Sequence, residues 1–226
     1  MNITQHILNF EVSKSMPASS QLFKQAIGGL LKSLRQREID IPNETLFYES
    51  GNHYPLIQYF SDKIQVGISG YNDGADALFH LFPHIKTLRF GNQIIHPDAI
   101  WMGKTWHVID FSPEPLSYRL HQYLGLNSTN YADVKNEKDP YVQKAILMKA
   151  LTGHLRGAVE GLSFALEDYP RVQILRWGRS RIEQYKQTPL TCLETLDFTC
   201  DLILPSGIGI GKGSALGYGR LERLVP

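Results

Sequence analysis

Residues 202–221 read Leu-Ile-Leu-Pro-Ser-Gly-Ile-Gly-Ile-Gly-Lys-Gly-Ser-Ala-Leu-Gly-Tyr-Gly-Arg-Leu, and six of these residues are glycine. Glycine gives up burial and chain order, so this density indicates that the backbone turns sharply or approaches another backbone closely. Unblocked N–H groups beside a lysine, here Lys212, also form a good cradle for phosphate oxygens. The run therefore predicts either a tight structural hairpin or a phosphate-binding loop.

Two familiar nucleotide-binding loops do not account for this run. A Rossmann fingerprint and a Walker A loop each open a helix, and no helix is expected after position 221, where few residues remain. The Walker A pattern G-x-x-x-x-G-K-[ST] would also require glycine at position 206 and serine or threonine after Lys212. The sequence has Ser206 and Gly213 there. A nucleotide-binding enzyme is therefore disfavoured.

The composition is that of a globular protein. The 226 residues are 42% hydrophobic and carry a formal net charge of +1, so the whole chain does not attract nucleic acid, although a local basic face is allowed. Cys192 and Cys200 fit neither a zinc site nor a disulfide scaffold, and buried thiols are expected. The sequence has no signal-peptide pattern and no long apolar run. We therefore expect a cytoplasmic protein with no membrane partner, metal or cofactor.

The first half of the chain follows the order β-α-β-β-α-β, which is typical of a ferredoxin-like module. Apolar residues recur at helical spacing over 22–34 and predict a helix that begins after Ser19 or Ser20. A shorter helix is expected after Asn72 or Asp73. Strands are expected at 3–12, 45–49, 54–60, 64–69 and 87–95. The pattern predicts a first module in residues 1–104.

The second half mixes strands and helices without strict alternation, which favours the α+β class. The apolar stripe over 142–159 predicts a long helix. Strands are expected at 106–111, 171–177, 181–185, 191–204 and 218–224, with a turn at Gly178 between the second and third of them. The pattern predicts a second module in residues 105–226 that includes the glycine run.

The glycine run and two further motifs carry a family resemblance. The strand, Leu204-Pro205 and Gly-Ile-Gly-Ile-Gly-Lys-x-Ser-x-x-Gly-Tyr-Gly-x-Leu resemble the glycine-rich loop of the CRISPR repeat-processing endoribonucleases, the Cas six family. Phe198-Thr before the loop and Tyr54-Pro-Leu-Ile-Gln-Tyr59 in the first half are similar to its Bacteroidetes-like branch. The resemblance implies two tandem ferredoxin-like (RRM-like) modules with a C-terminal glycine-rich loop.

The resemblance also implies an activity. Such enzymes bind a CRISPR repeat RNA (pre-crRNA) and cut one phosphodiester without a metal, because the ribose 2′-OH attacks the adjacent phosphorus and leaves a 2′,3′-cyclic phosphate. This chemistry needs a base, an acid and cations for the developing charge. The resemblance is compatible with a homodimer and with assembly into a CRISPR effector complex.

Two segments are the predicted RNA-binding sites. The first is the glycine run, whose N–H groups and lysine suit phosphate oxygens. The second is an arginine-rich segment around Trp177, which suits phosphate contact and base stacking; the alternative for this segment is a solvated edge hairpin guarded by arginines. The predicted RNA-binding residues are Gly209, Gly211, Lys212, Gly213, Ser214, Gly217, Gly219, Arg176, Arg179 and Arg181.

The predicted catalytic residues are His53 and Tyr48. Histidine is the first candidate for acid–base work because its pKa lies near neutrality, and His53 lies in the stretch where the family carries its catalytic histidine. Many relatives have His-x-His where this chain has Tyr48 and Ser50. His53 then replaces them, with Tyr48 positioning or donating a proton, or the chain is a catalytically inactive RNA-binding relative. Both hypotheses stay open at this point.

Overall fold

The computed structural model describes residues 2–11, 19–48, 53–61, 66–126, 132–134, 136–185 and 188–224. The chain divides into two compact units. The first comprises Asn2–His107 with Ala215–Gly217, and the second comprises Val108–Ser214 with Tyr218–Pro226. Among the described helices, none is both long and apolar enough to cross a membrane.

The elements of the first unit are β1 (Asn2–Glu11), α1 (Ser20–Gln36), β2 (Ile57–Ser61), β3 (Val66–Tyr71), α2 (Asp73–Leu81), β4 (Leu88–Phe90), β5 (Gln93–Ile95) and β6 (Ala99–Val108), with short 3-10 turns at Glu44–Phe47 and Phe82–His84. Four of the strands form a sheet in the order β2-β3-β1-β6. In this sheet β3 runs antiparallel to both β1 and β2.

Helix α1 forms where its sequence pattern predicts it. The Ser19 side chain accepts a hydrogen bond from the Leu22 N–H at 3.2 Å and caps the first turn, which satisfies one of the donors that a helix start leaves free. The apolar face is buried in the core of the first unit together with sheet residues. Its buried members are Phe23, Ala26, Ile27, Leu31 and Leu34.

Two predicted strands of the first unit are wrong. The described part of the predicted strand 45–49 is not a strand, because Asn43 adopts a left-handed φ of 56° and starts the 3-10 turn Glu44–Phe47; residue 49 lies outside the described residues. Residues 87–95 are not one strand but the hairpin of β4 and β5, since Gly91 adopts a φ of 60° and reverses the chain. The strand that completes the main sheet is therefore β6, beyond the hairpin.

The elements of the second unit are β7 (Asp110–Leu126), α3 (Pro140–Gly161), β8 (Val172–Trp177), β9 (Ser180–Tyr185), β10 (Thr188–Ile203) and β11 (Arg220–Arg223). The strands form a sheet in the order β11-β7-β10-β8, with β9 also paired to β10. Helix α3 packs against β7 and β8. Asp139 caps the start of α3 and Pro140 occupies its first turn, where a missing N–H costs nothing.

Strands β8 and β9 do not pair with each other across Gly178. Both pair with the long β10, β9 along its first part and β8 along its last part. The connection between β8 and β9 is also hydrogen-bonded to β10. The Gly178 N–H donates to the Thr195 carbonyl and the Glu194 N–H donates to the Arg179 carbonyl, each at 2.9 Å.

Both units have the strand arrangement of the predicted ferredoxin-like modules, and the α+β class is confirmed. In each sheet the first strand of the unit, β1 or β7, is an inner strand. It lies beside the strand that precedes the second connection between strands, which is β3 or β10. In the first unit that connection contains α2. In the second unit the same place, between β10 and β11, holds the glycine run instead of a helix longer than one 3-10 turn.

Candidate nucleic-acid interface

The glycine loop, residues 204–219, connects β10 to β11 and lies against β7. Lys212 forms an isolated bridge with Leu124 of β7, and its N–H donates to the Leu124 carbonyl at 3.2 Å. Farther along, the Gly219 N–H donates to the Gln122 carbonyl, also on β7, at 3.1 Å. Strand β7 therefore holds the loop at two points.

Two glycines of the loop are required by geometry. Gly219 has a φ of 65°, and a Cβ added there would lie 1.9 Å from the Ile210 carbonyl oxygen. Gly211 has a φ of 91°, and a Cβ there would lie 2.9 Å from the Tyr123 ring. A side chain at either position would be both strained and obstructed. These two glycines give the loop its shape.

The loop presents Lys212 outward. Lys212 is exposed, whereas Gly209, Gly213, Ser214 and Gly219 are buried and Gly211 and Gly217 are partly exposed. Within the described part of the chain, no group accepts a hydrogen bond from the N–H of Gly211 or Gly213. The turn around Lys212 thus combines an ammonium group with an unpartnered N–H at a partly exposed position, which is what an anion site needs. The buried residues Gly209, Gly213, Ser214 and Gly219 determine the shape of the loop.

A tyrosine–histidine pair lies beside this turn. The Tyr123 hydroxyl on β7 and Nδ1 of His154 on α3 are 2.8 Å apart. Burial raises the pKa of Tyr123 far above its usual range. Burial, together with the positive charge of Lys212, lowers the pKa of His154 to about 4. Both side chains are therefore neutral at pH 7, and His154 remains neutral in mildly acidic solution.

The low pKa of His154 predicts a pH-dependent stability. An unfolded histidine has a pKa near 6.5, so between pH 6.5 and 4 the unfolded state binds more protons than the folded state. We expect the contribution of His154 to be complete above pH 6.5 and to fall by up to about 3 kcal/mol as the pH drops to 4. Urea unfolding of the wild type and of His154→Asn at pH 7 and 4.5 checks this, because the difference between the two proteins should shrink at pH 4.5. A constant difference would contradict it.

The arginine-rich segment is engaged with acidic side chains of the sheet. Arg119 binds Asp197 through Nε at 2.7 Å and Nη2 at 2.9 Å, and Arg176 adds its Nε at 2.6 Å. The hydrogen bond from Arg119, and then that from Arg176, lowers the pKa of Asp197 to about 2. The Arg176 side chain is still 73% exposed, so this ion pair leaves guanidinium N–H groups facing solvent.

The two other predicted arginines differ in their partners. Arg181 on β9 pairs with Glu183 at 3.1 Å. Arg179, between β8 and β9, is exposed, and no carboxylate within the described ranges contacts its side chain. Arg176 and Arg181 therefore have carboxylate partners, and Arg179 is the predicted RNA-binding arginine that has none among the described residues.

Tyr48 lies in the first unit at the end of the 3-10 turn, against α1. Its hydroxyl donates to the Glu44 carboxylate at 3.2 Å, and its ring lies 3.4 Å from the position a Cβ would take at Gly28. Arg35 forms an ion pair with the same carboxylate. Partial burial and the Glu44 bond raise the pKa of Tyr48. Tyr48 therefore keeps its proton at neutral pH and can donate it, but it is a poor base.

His53 is exposed just ahead of β2. Within the part of the chain that the structure describes, no hydrogen bond joins the side chains of His53 and Tyr48. Ser50, which shares the motif comparison with Tyr48, lies outside the described residues. Among described side chains, no three His, Cys, Asp or Glu residues are arranged to hold a metal ion.

The sequence of this chain matches a profile of a known protein family. The sequence profile of the Cas6b C-terminal domain matches residues 110–224, which is more than half of the 226 residues. The chain belongs to the Cas6 family. Among curated protein sequences, none matches it.

Solved Cas6 structures match the fold of nearly the whole chain. A crystal structure of Cas6b covers 99% of this chain and 100% of its own, with a TM-score of 0.75 and 16% identity. A second, described as the CRISPR RNA processing endoribonuclease Cas6b, has the same coverage and identity and a TM-score of 0.68. A Cas6 product complex matches over 100% of both chains with a TM-score of 0.53 and 13% identity. The likeness confirms the Cas6 fold.

One part of this candidate site, the Tyr123–His154 pair, was not predicted from the sequence. His154 lies three residues after Leu151 and one before Leu155, both buried on α3. A histidine beside the apolar stripe of a helix is a weak signal, because such residues are more often satisfied structural histidines. No sequence pattern within β7 distinguishes Tyr123 as a functional residue. The two are 31 positions apart and meet only through the packing of α3 on the sheet.

Proposed function

We propose that this Cas6-family chain binds CRISPR repeat RNA and cuts one phosphodiester in it. The observation that carries the proposal is the glycine loop, which takes the place of a helix in the second unit and presents Lys212 from a turn held by β7. Backbone N–H groups and a lysine recognise RNA phosphates by shape and charge. The solved Cas6b described as a CRISPR RNA processing endoribonuclease supports this reading through its fold.

The proposed chemistry uses side chains of the first unit. The ribose 2′-oxygen attacks the adjacent phosphorus as its proton passes to His53, the P–O5′ bond breaks, and the leaving 5′ oxygen takes up a proton. The products are a 2′,3′-cyclic phosphate and a free 5′-OH. A tyrosine hydroxyl is protonated at neutral pH, which places Tyr48 on the donor side of this reaction, and its raised pKa makes it a weaker acid than an ordinary tyrosine. Histidine is the most common general base in such reactions, which places His53 on the other side.

The activity is tested by incubating the protein with its cognate repeat RNA in excess EDTA. We expect one cut whose 5′ fragment ends in a 2′,3′-cyclic phosphate, identified by mass spectrometry. Tight binding with no cut would overturn the endoribonuclease and favour a catalytically inactive RNA-binding protein, the second candidate. That candidate is favoured by one observation, the engagement of the Tyr48 hydroxyl with Glu44.

Lys212→Ala tests the RNA contact of the glycine loop. We expect the dissociation constant for repeat RNA to rise about fivefold to tenfold, and the slope of log affinity against log salt to fall by about one, because one phosphate contact is lost. The matched control is Lys86→Ala, which removes the same charge from an exposed site in the first unit. Equal losses in the two variants would show a non-specific charge effect.

The family likeness also leads us to propose a homodimer and assembly with a CRISPR effector complex. Light scattering of the chain alone and with repeat RNA measures the first directly. The second is tested by co-purification of the chain with the other proteins encoded beside the repeat array.

A further inference from the structure

The Tyr123–His154 pair takes no part in the proposed reaction, yet it lies against the turn that carries Lys212. We propose that Tyr123 and His154 are positioning residues for RNA binding. Their hydrogen bond holds the two rings against the turn at Gly211, and this contact fixes the direction of the Lys212 side chain. The inference rests on the proposed function, because it assigns a role within the same RNA-binding loop.

The first support is contact between the pair and the turn. A Cβ at Gly211 would lie 2.9 Å from Cε2 of Tyr123 and 3.3 Å from Nδ1 of His154. The backbone of Gly211 therefore lies on both rings at once. The next residue donates its N–H to Leu124, the neighbour of Tyr123 in β7. A shift of either ring would move the turn or open a gap beneath it.

The second support is the backbone of β7, which is distorted so that Tyr123 can reach α3. Leu120 and Tyr123 are both fully buried, although residues three apart in a regular strand point to opposite faces. Between them, Gln122 adopts a left-handed φ of 50°. Such a conformation is unfavourable for a non-glycine residue. The carbonyl of this same residue accepts the hydrogen bond from Gly219, so the distortion serves both the pair and the loop.

The third support is the neutrality of the pair. The Tyr123 hydroxyl and Nδ1 of His154 share one hydrogen bond, and the hydroxyl has no other partner among the described residues. In the tautomer in which the phenol donates, Nε2 of His154 carries the ring proton. An uncharged imidazole does not repel the positive charge of Lys212, whose field acts on His154.

A pair of variants at His154 tests the proposal. His154→Asn keeps an acceptor close to the place of Nδ1, and His154→Leu removes it with little change in volume. We expect His154→Leu to weaken binding of repeat RNA about tenfold, equivalent to the loss of one good contact, with the single-turnover cleavage rate at saturating RNA unchanged. We expect His154→Asn to retain most of the affinity. Binding is measured well below the melting temperature of each variant, which calorimetry provides.

The outcomes separate this inference from the proposed function. Failure of the wild type to bind repeat RNA would overturn both. Wild-type binding with unchanged affinity in His154→Leu would overturn the positioning role alone. Equal losses in a folded His154→Asn and His154→Leu would also overturn it, because the acceptor for Tyr123 would then be irrelevant. Tyr123→Phe is the reciprocal variant, and we expect it to resemble His154→Leu in affinity.

Discussion

His53→Ala is expected to lower the rate of repeat-RNA cleavage by about 10²- to 10⁴-fold, the range that a positioned general base contributes. The affinity for repeat RNA should remain close to that of the wild type, because the proposed phosphate contacts lie in the glycine loop. The measurement is single-turnover cleavage of labelled repeat RNA at saturating protein, with the dissociation constant obtained separately.

His80→Ala is the matched control for His53→Ala, since His80 is also an exposed histidine of the first unit and lies on α2. It should cleave at the wild-type rate. Tyr48→Phe removes the proposed proton donor and should slow cleavage by at least about tenfold. Wild-type cleavage by His53→Ala would reject His53 as the base while leaving the endoribonuclease activity intact. Equal slowing by His80→Ala would point to a general defect of the first unit.

Gly219→Ala is expected to lower the free energy of unfolding by about 3–5 kcal/mol, the upper range for single substitutions. A methyl group there would meet the Ile210 carbonyl oxygen at 1.9 Å, and alanine also tolerates a φ of 65° poorly. The backbone would have to move, and Gly219 is bonded on both sides, to Ile210 and to Gln122. Urea unfolding followed by circular dichroism measures the loss.

Gly29→Ala provides the opposite expectation for the same chemical change. Gly29 lies in α1, and nothing comes within 4 Å of a Cβ added there. Alanine in an open helical position should raise the free energy of unfolding by about 0.5–1 kcal/mol. A Gly219→Ala protein as stable as Gly29→Ala would show that the loop adapts freely and that its glycines are not required by its shape.

The longest periodic segments are the ones that the sequence predicts well. Helix α1 and helix α3 each carry an apolar stripe over several turns, so their cores follow from spacing, and the start of α1 also follows from Ser19 as its cap. The Asp139 cap of α3 is found only in the structure. Two errors fall at short segments, where a single left-handed residue overrides strand propensity. Asn43 starts the 3-10 turn Glu44–Phe47, and Gly91 divides 87–95 into a hairpin. A third error concerns length, because the predicted strand 106–111 covers only the end of β6 and the start of β7.

The candidate site follows from the sequence only in part. The residues of the glycine loop can be identified from contiguous sequence alone. The structure adds that Lys212 is exposed while Gly213 and Ser214 are buried. Pairing partners such as Asp197 for Arg176 depend on which strands lie side by side. That information is absent from local spacing, because β8 pairs with the far part of β10 rather than with its neighbour β9.

The attachment of the glycine loop to β7 bears on how such a loop can be transferred between proteins. The carbonyl groups of Gln122 and Leu124 receive the N–H groups of Gly219 and Lys212, and the first of these carbonyls is presented by a strand that is locally distorted. A chimera that imports residues 204–219 alone would bring the donors without their acceptors. The unit that can be transferred therefore consists of two separate segments, the glycine loop and the part of β7 that contains Gln122 and Leu124. Exchanges between homologues should carry both segments together.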